Sequence, residues 1–280
     1  ILPTADVNGV KLNYRVMGKG EPLVLIAGWG TDLRAWVFQL RAFRKRFRVV
    51  AFDNRGVGKS DMPSGPYSMR LLADDVIGLM DRLQITAANV LGLSMGGMIA
   101  QEVAINYPHR VLKLVLGSTF ACQHGGSGPT DEYMKSPGLD AVETRIRLAW
   151  LANNRPLARF FIVLLVRLIA RTGLGGFESQ GAAIRTHDTS DRLHLIKAPT
   201  LVLTGTKDRV IRPSSSDLIA SKIPKARLVE IRNGSHSINS ENRKEFNKEV
   251  LSFLTGSEPM TSNPQGVGPG DFRGVPKWGH

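Results

Sequence analysis

Two hydrophobic periods alternate along the first 117 residues. Leu23–Ala27, Arg48–Phe52, Ala88–Leu93 and Val111–Leu116 are short runs dominated by apolar residues, as in strands covered on both faces. Between them the apolar positions follow helical spacing. Thr31 or Asp32 is placed to cap a helix reaching to about Phe47. A second helix is predicted from Ser68 to Leu83, with Leu71, Leu72, Val76, Leu79, Met80 and Leu83 on one face, and a third from Met98 to Tyr107. Residues 4–17 alternate around Asn8-Gly9, which predicts a hairpin. Repeated strand-then-helix units predict an α/β fold, with a mostly parallel sheet and helices on both faces.

The rhythm breaks after Gly117. Residues 120–197 carry helical and loop-like patterning without strands. Gly125-Gly126-Ser127-Gly128 reads as a flexible joint. Asp140–Leu151 and Leu157–Arg171 read as amphipathic helices, and Gly173, Gly175 and Gly176 interrupt the pattern. The expectation is a helical cap over the carboxyl ends of the strands, its apolar surface toward a substrate. The alternative is ordinary helices packed on the sheet. Alternation resumes with Thr200–Leu203, a helix from Pro213 to about Ile223, a strand at Arg227–Ile231 and a helix at Asn242–Leu254. The expected division is a core of 1–119 and 198–254, a cap of 120–197, and a Gly/Pro-rich tail of 255–280 with no fold of its own. No internal repeat is evident.

Composition narrows the function classes. A chain of 280 residues with 42% hydrophobic content is long enough for a substantial core, in one large domain or one domain with an insertion. A lone cysteine, Cys122, excludes an internal disulfide framework and fits a reducing compartment, hence a cytoplasmic expectation. It has no companion at metal-ligand spacing, so it reads as a packed or loop thiol, and no metal or cofactor is expected. No signal peptide is visible, although Ile1 opens the sequence without methionine, which leaves a removed leader open. The longest apolar run, Phe160–Val166, is bounded by Arg159 and Arg167 and falls far short of the roughly 20 residues of a membrane span.

The net charge of +13 is unusual for a small-molecule enzyme. Arg34, Arg41, Arg44, Lys45, Arg46 and Arg48 crowd one segment and read as a solvated helix face. The alternative is attraction to an anionic carrier or surface. Nucleic acid is not expected, because no nucleic-acid motif or aromatic-interleaved basic patch accompanies the charge.

The chemistry centres on Ser94. It stands where the strand period gives way to the helix period, within Gly92-Leu93-Ser94-Met95-Gly96-Gly97. A turn that tight needs glycine on both sides and lifts the hydroxyl toward a helix N-terminus. A serine hydroxyl needs a general base, and the base an orienting acid. Ser94, Asp208 and His236 each follow a predicted strand, so a parallel sheet can bring them to one edge. Of the other histidines, His109 follows Pro108 at a helix exit, His280 is in the tail, and His124, His187 and His194 fall in the insertion. Asp208 taken alone also suits a surface turn. Asp53 ends a strand too, but beside the Arg55-Gly56 turn it reads as loop scaffolding. The backbone N–H groups of Met95 and of Trp29, in Gly28-Trp29-Gly30, are the expected oxyanion donors. The Trp29 indole either walls the acyl site or packs beside it.

Over about residues 5–254 the chain resembles the α/β-hydrolase superfamily. The resemblance rests on Gly92-Leu93-Ser94-Met95-Gly96-Gly97, Asp53-Asn54-Arg55-Gly56-Val57-Gly58-Lys59-Ser60, Gly205-Thr206-Lys207-Asp208 and Gly234-Ser235-His236. It implies an eight-stranded sheet, a helical cap and a Ser94-Asp208-His236 triad. The Gly-Leu-Ser-Met-Gly-Gly form is similar to the group holding enol-lactonases, small carboxylesterases and cofactor-free haloperoxidase-like or perhydrolase members. Two departures stand out. Ala27 replaces the histidine usual before the oxyanion glycine, and the cap is basic and apolar around Phe160–Val166. Serine at 94 separates the chain from dehalogenases and epoxide hydrolases of this fold, which use aspartate there. The expected function is hydrolysis of small to medium acyl esters through an acyl-enzyme. The alternatives are a lactonase, a C–C hydrolase or a perhydrolase on the same triad, or a ligand receptor that is not an enzyme.

Overall fold

The structure, a computed structural model, describes residues 2–134, 140–157, 160–161, 163–164 and 174–257. A hairpin opens it: β1 (Thr4–Val7) and β2 (Val10–Met17) are joined by Asn8 and Gly9, at φ 48° and 77°. Positive φ at both central residues is what a tight hairpin's right-handed twist requires. Six strands follow: β3 (Glu21–Ile26), β4 (Phe47–Phe52), β5 (Ala88–Leu93), β6 (Val111–Gly117), β7 (Thr200–Gly205) and β8 (Ala226–Ile231). They form one sheet in the order β1-β2-β4-β3-β5-β6-β7-β8. The β1–β2 and β2–β4 pairs are antiparallel and the rest are parallel.

Helices cover both faces of the sheet. Val24, Ile26, Val50, Phe52, Val90 and Leu114 enter one core, with α2 (Met69–Arg82) and α3 (Met95–Asn106). Their neighbours Leu23, Leu25, Val49, Ala51, Leu91 and Val115 enter the other, with α1 (Val37–Phe43) and the final helix. Successive side chains of a strand point to opposite faces, so uninterrupted apolar runs belong to strands buried on both. Ser68 caps α2, its hydroxyl accepting from the Leu71 N–H at 3.1 Å. The helix expected to reach Phe47 ends at Phe43, because Phe47 already pairs with Glu21 as the first residue of β4. Arg34, Arg41, Arg44, Lys45 and Arg46 are exposed, as a solvated face requires. Arg48 is half-buried, its guanidinium on the Leu83 carbonyl.

Between β6 and β7 come α4 (Asp131–Met134), α5 (Ala141–Leu151) and α6 (Leu174–Arg185). No strand occurs there among the described residues, only a single bridge from Pro129 to Ile211. Asp140 and Glu143 form a reciprocal capping box at the start of α5. Two readings of the insertion change. Gly175 and Gly176 lie inside α6 rather than interrupting a helix, and Gly176 meets the Gly56 backbone so closely that no Cβ fits between them. The Gly125–Gly128 segment is not a free joint. Gly128 N–H donates to Ser215 Oγ at 2.9 Å, Ser214 Oγ donates to the Gly126 carbonyl at 2.7 Å, and Arg212 N–H donates to the Gly128 carbonyl at 3.0 Å. Within the expected helix of 157–171, the described residues 157, 160–161 and 163–164 are helical; the rest of it, Gly173 and the tail beyond Ser257 lie outside the described residues. The chain closes with α7 (Ser214–Lys222), α8 (Ile238–Glu241) and α9 (Arg243–Thr255).

His187, just after α6, is 5% exposed, and neither ring nitrogen has a hydrogen-bond partner among the described residues. Burial pushes its pKa from 6.5 down to about 4, against the opposing pull of Glu102 and Asp188. The unfolded chain therefore binds a proton between those values that the folded chain refuses. Stability should fall as pH drops through that window, by up to about 3 kcal/mol from this group. His187→Leu should flatten that slope in urea titrations run at neutral pH and near pH 4.

Candidate active site

The sheet reverses its winding at β3. The chain passes from β3 to β4 on one side, then crosses back to β5 on the other. In open α/β sheets ligands bind at the carboxyl ends of strands where the winding reverses, and here those ends are Ala27–Gly30 and Ser94.

Ser94 lies between β5 and α3 at φ 56°, ψ −122°. A side chain there is held in a sparsely populated conformation, which costs on the order of 1–3 kcal/mol and persists only where the surroundings enforce it. Here they do. Ser94 N–H donates to the Gly117 carbonyl at 2.8 Å, and the Ser94 carbonyl accepts from Gly97 N–H and Thr119 Oγ1, each at 2.8 Å. Gly92 and Gly96 are dictated by space: a Cβ on the first would strike the Gly96 carbonyl, and on the second the Ile26 carbonyl.

The Ala27–Gly30 loop passes over this turn, where a Cβ built on Gly28 would lie 3.3 Å from the Ser94 Cβ. The Trp29 N–H has no acceptor among the described residues, while Gly30 N–H donates to Gln180 Oε1 at 3.0 Å. Met95 is the first residue of α3, where N–H groups have no acceptor within the helix. The Trp29 indole turns into the insertion. It stacks on Phe177 with ring centroids 4.3 Å apart and donates to the Phe177 carbonyl at 2.7 Å. The Arg145 guanidinium lies over the same Phe177 ring, 4.5 Å from its centroid, and burial lowers its pKa.

Asp208 and His236 are brought into contact. Their loops, after β7 and β8, are joined by Lys207 N–H to the Gly234 carbonyl at 2.9 Å and by Asn233 N–H to Thr206 Oγ1 at 2.9 Å. Asp208 Oδ2 meets His236 Nδ1 at 2.8 Å, and Asp208 Oδ1 accepts from the N–H groups of Val210 and Ile211 at 2.8 and 2.9 Å. Both residues are buried, at 6% and 8% exposed. Nδ1 is thereby occupied and Nε2 is left for another partner. Ser94 Oγ forms no hydrogen bond among the described residues, and the His236 contact that the sequence predicts for it is not among the bonds the structure makes.

Asp53 is scaffolding, as its position beside the turn suggested. Its carboxylate accepts from Asn13 Nδ2, Leu33 N–H and Lys59 N–H. Sequence reasoning missed Gln180 and Phe177. Gln180 is fully buried and bridges two loops, accepting from Gly30 N–H and donating to the Arg55 carbonyl at 2.9 Å. Arg55 is itself clamped by Asp75 through two bonds of 2.5 and 2.6 Å. Gln180→Leu should leave a buried donor and a buried acceptor unpaired. A loss of about 1–3 kcal/mol in urea unfolding is expected for each.

A family model described as alpha/beta hydrolase fold matches residues 21–180 and 172–243. The chain belongs to that family. Similar relatives include 3-oxoadipate enol-lactonase 2 of Acinetobacter baylyi, 29% identical over 90% of this chain and 96% of that protein. Among solved structures, the enol-lactonase of Burkholderia xenovorans is 33% identical over 90% of this chain and all of that one, with a TM-score of 0.78. A meta-cleavage product hydrolase of Pseudomonas fluorescens is 26% identical over 91% and 98%, with a TM-score of 0.77. Family and relatives make this α/β-hydrolase chain a hydrolase. Among the described residues no three His, Cys, Asp or Glu are grouped to hold a metal ion, and no helix is long and apolar enough to cross a membrane.

Proposed function

We propose that the chain is a serine hydrolase of carboxylic esters and lactones. The observation that carries the reading is the imidazole held through Nδ1 by a buried carboxylate, with Nε2 free at the edge that bears Ser94. In this reading Ser94 Oγ attacks the ester carbonyl carbon and its proton passes to His236 Nε2. The N–H groups of Trp29 and Met95 bind the oxyanion. His236 then protonates the leaving alkoxide, leaving an acyl group on Ser94. A water, deprotonated by His236, cleaves that acyl bond and releases the acid. Asp208 fixes the tautomer and stabilises the imidazolium.

The enol-lactonases among the relatives favour a lactone as one form of substrate. In a lactone the leaving oxygen stays tethered to the acyl chain, so the product is a single hydroxy or keto acid, and the side chains required are the same. Residues 120–197 act as the cap, with α6 closing one wall through Phe177. A cytoplasmic location belongs to the same reading and rests on the lone buried Cys122.

The test is a set of initial rates on p-nitrophenyl acetate, butyrate and octanoate and on a five-membered lactone, with a fluorophosphonate adduct mapped by mass spectrometry. Turnover of one class with the adduct on Ser94 is expected. No turnover of any, or an adduct elsewhere, would overturn the reading. A single slow turnover with ligand-induced stabilisation would mark a receptor instead.

A further inference from the structure

The apolar face of a helix in a water-borne domain normally turns inward. In the insertion one turns outward. The described residues 156–157, 160–161 and 163–164 are helical, and Leu157, Phe160, Phe161 and Leu164 share one face at i, i+3, i+4 and i+7. They are 77%, 62%, 64% and 48% exposed. Phe160 and Phe161 meet edge to face with centroids 5.6 Å apart, so the stripe is continuous there. Of the ten large apolar side chains exposed among the described residues, five lie between positions 150 and 164, Trp150 being the fifth. The exposed apolar surface is therefore concentrated rather than scattered.

Cations stand at the base of this stripe. Arg155 is exposed, and its backbone N–H donates to Glu241 Oε1 at 3.0 Å while its guanidinium donates to the Glu241 carbonyl at 3.1 Å. That sets it beside exposed Arg243 and Lys244 around one surface hollow, which Glu241 and Glu245 also line, so cations outnumber carboxylates there by three to two. An aromatic and aliphatic stripe bordered by an excess of cations, on a chain of net charge +13, matches the boundary of an anionic bilayer, where rings enter the headgroup layer and cations meet phosphate. A second copy of this chain fits less well, since each carries a net charge of +13. We propose that this face docks the protein on anionic phospholipid. Asn154 ties the start of the stripe to the Lys207 carbonyl at 3.1 Å, one residue from Asp208, so docking would bring the Asp208 loop near the lipid.

Sedimentation of the full chain with vesicles tests this, using phosphatidylcholine alone or mixed with phosphatidylglycerol, at low and high salt. Binding is expected to the mixed vesicles only, weakening as salt rises. Phe160→Asp/Phe161→Asp should lower that affinity at least tenfold. Arg155→Gln/Arg243→Gln/Lys244→Gln should lower it by about five-fold per cation removed. Far-UV circular dichroism and the thermal midpoint should stay unchanged in both variants, and this control does not depend on the chain being an esterase. Absence of binding to anionic vesicles, or equal binding by both folded variants, overturns the proposal. So does a stable dimer in light scattering that the phenylalanine variant dissolves.

Discussion

Replacing Ser94 by alanine is expected to lower kcat for p-nitrophenyl butyrate by about 10⁵-fold or more, with KM little changed. In the proposed mechanism the hydroxyl forms the covalent bond, and nothing in the turn substitutes for it: residue 95 is a buried methionine and 96 and 97 are glycines. Binding of the ester should survive, because the Trp29 and Met95 amides proposed to hold its carbonyl oxygen belong to the backbone and are untouched by the substitution. Stability should hold as well. Alanine keeps the Cβ that makes φ 56° costly, so the strain is neither added nor removed. Ser94→Gly separates the two effects. It should lose the same activity while gaining on the order of 1 kcal/mol in urea unfolding, because glycine adopts that backbone conformation freely. Wild-type turnover by the alanine variant would exclude Ser94 as nucleophile.

What could be read from the chain follows the range of the interactions involved. The Asn8-Gly9 turn, the strands of the sheet and the Ser68 cap are set by neighbours within a few residues or by burial on both faces, and the local pattern carries both. The positions of Ser94, Asp208 and His236 beyond their strands followed from the same rhythm, since parallel strands put their carboxyl ends on one edge. Other features depend on partners far along the chain. Trp29 finds Phe177 148 residues away and Gly30 finds Gln180 150 away, and no local period records either contact. Gly175 and Gly176 read as helix breakers because propensity is local, whereas the Gly56 backbone that requires a bare position at Gly176 is distant. The stripe at Leu157–Leu164 shows a different limit. Periodicity reveals which side chains share a face, but not whether that face turns toward the core or away from it.

Asp208→Asn should lower kcat by about 10⁴-fold while leaving KM within a few-fold, and the geometry explains why so small a change has so large an effect. Asp208 accepts three hydrogen bonds: two from the Val210 and Ile211 amides at Oδ1, and one at Oδ2 from His236 Nδ1. All three partners are donors in the form suited to catalysis, and a carboxylate can serve them all. Asparagine has one oxygen and one NH₂ group. If its oxygen keeps the two amides, the NH₂ group faces Nδ1. Nδ1 must then accept, the proton moves to Nε2, and the imidazole can no longer take a proton from Ser94. If the amide is flipped, its oxygen can accept from Nδ1–H, but the NH₂ group meets two buried N–H donors that have no other acceptor. That orientation costs about 1–3 kcal/mol for each unpaired group, so the inactive tautomer is favoured. Asp208→Glu is the contrast: it retains the charge but lengthens the side chain inside a site with no side-chain exposure, so it should lose activity through misplacement and destabilise the fold as well. An asparagine variant that keeps the wild-type rate would mean that His236 takes its tautomer from something other than Asp208.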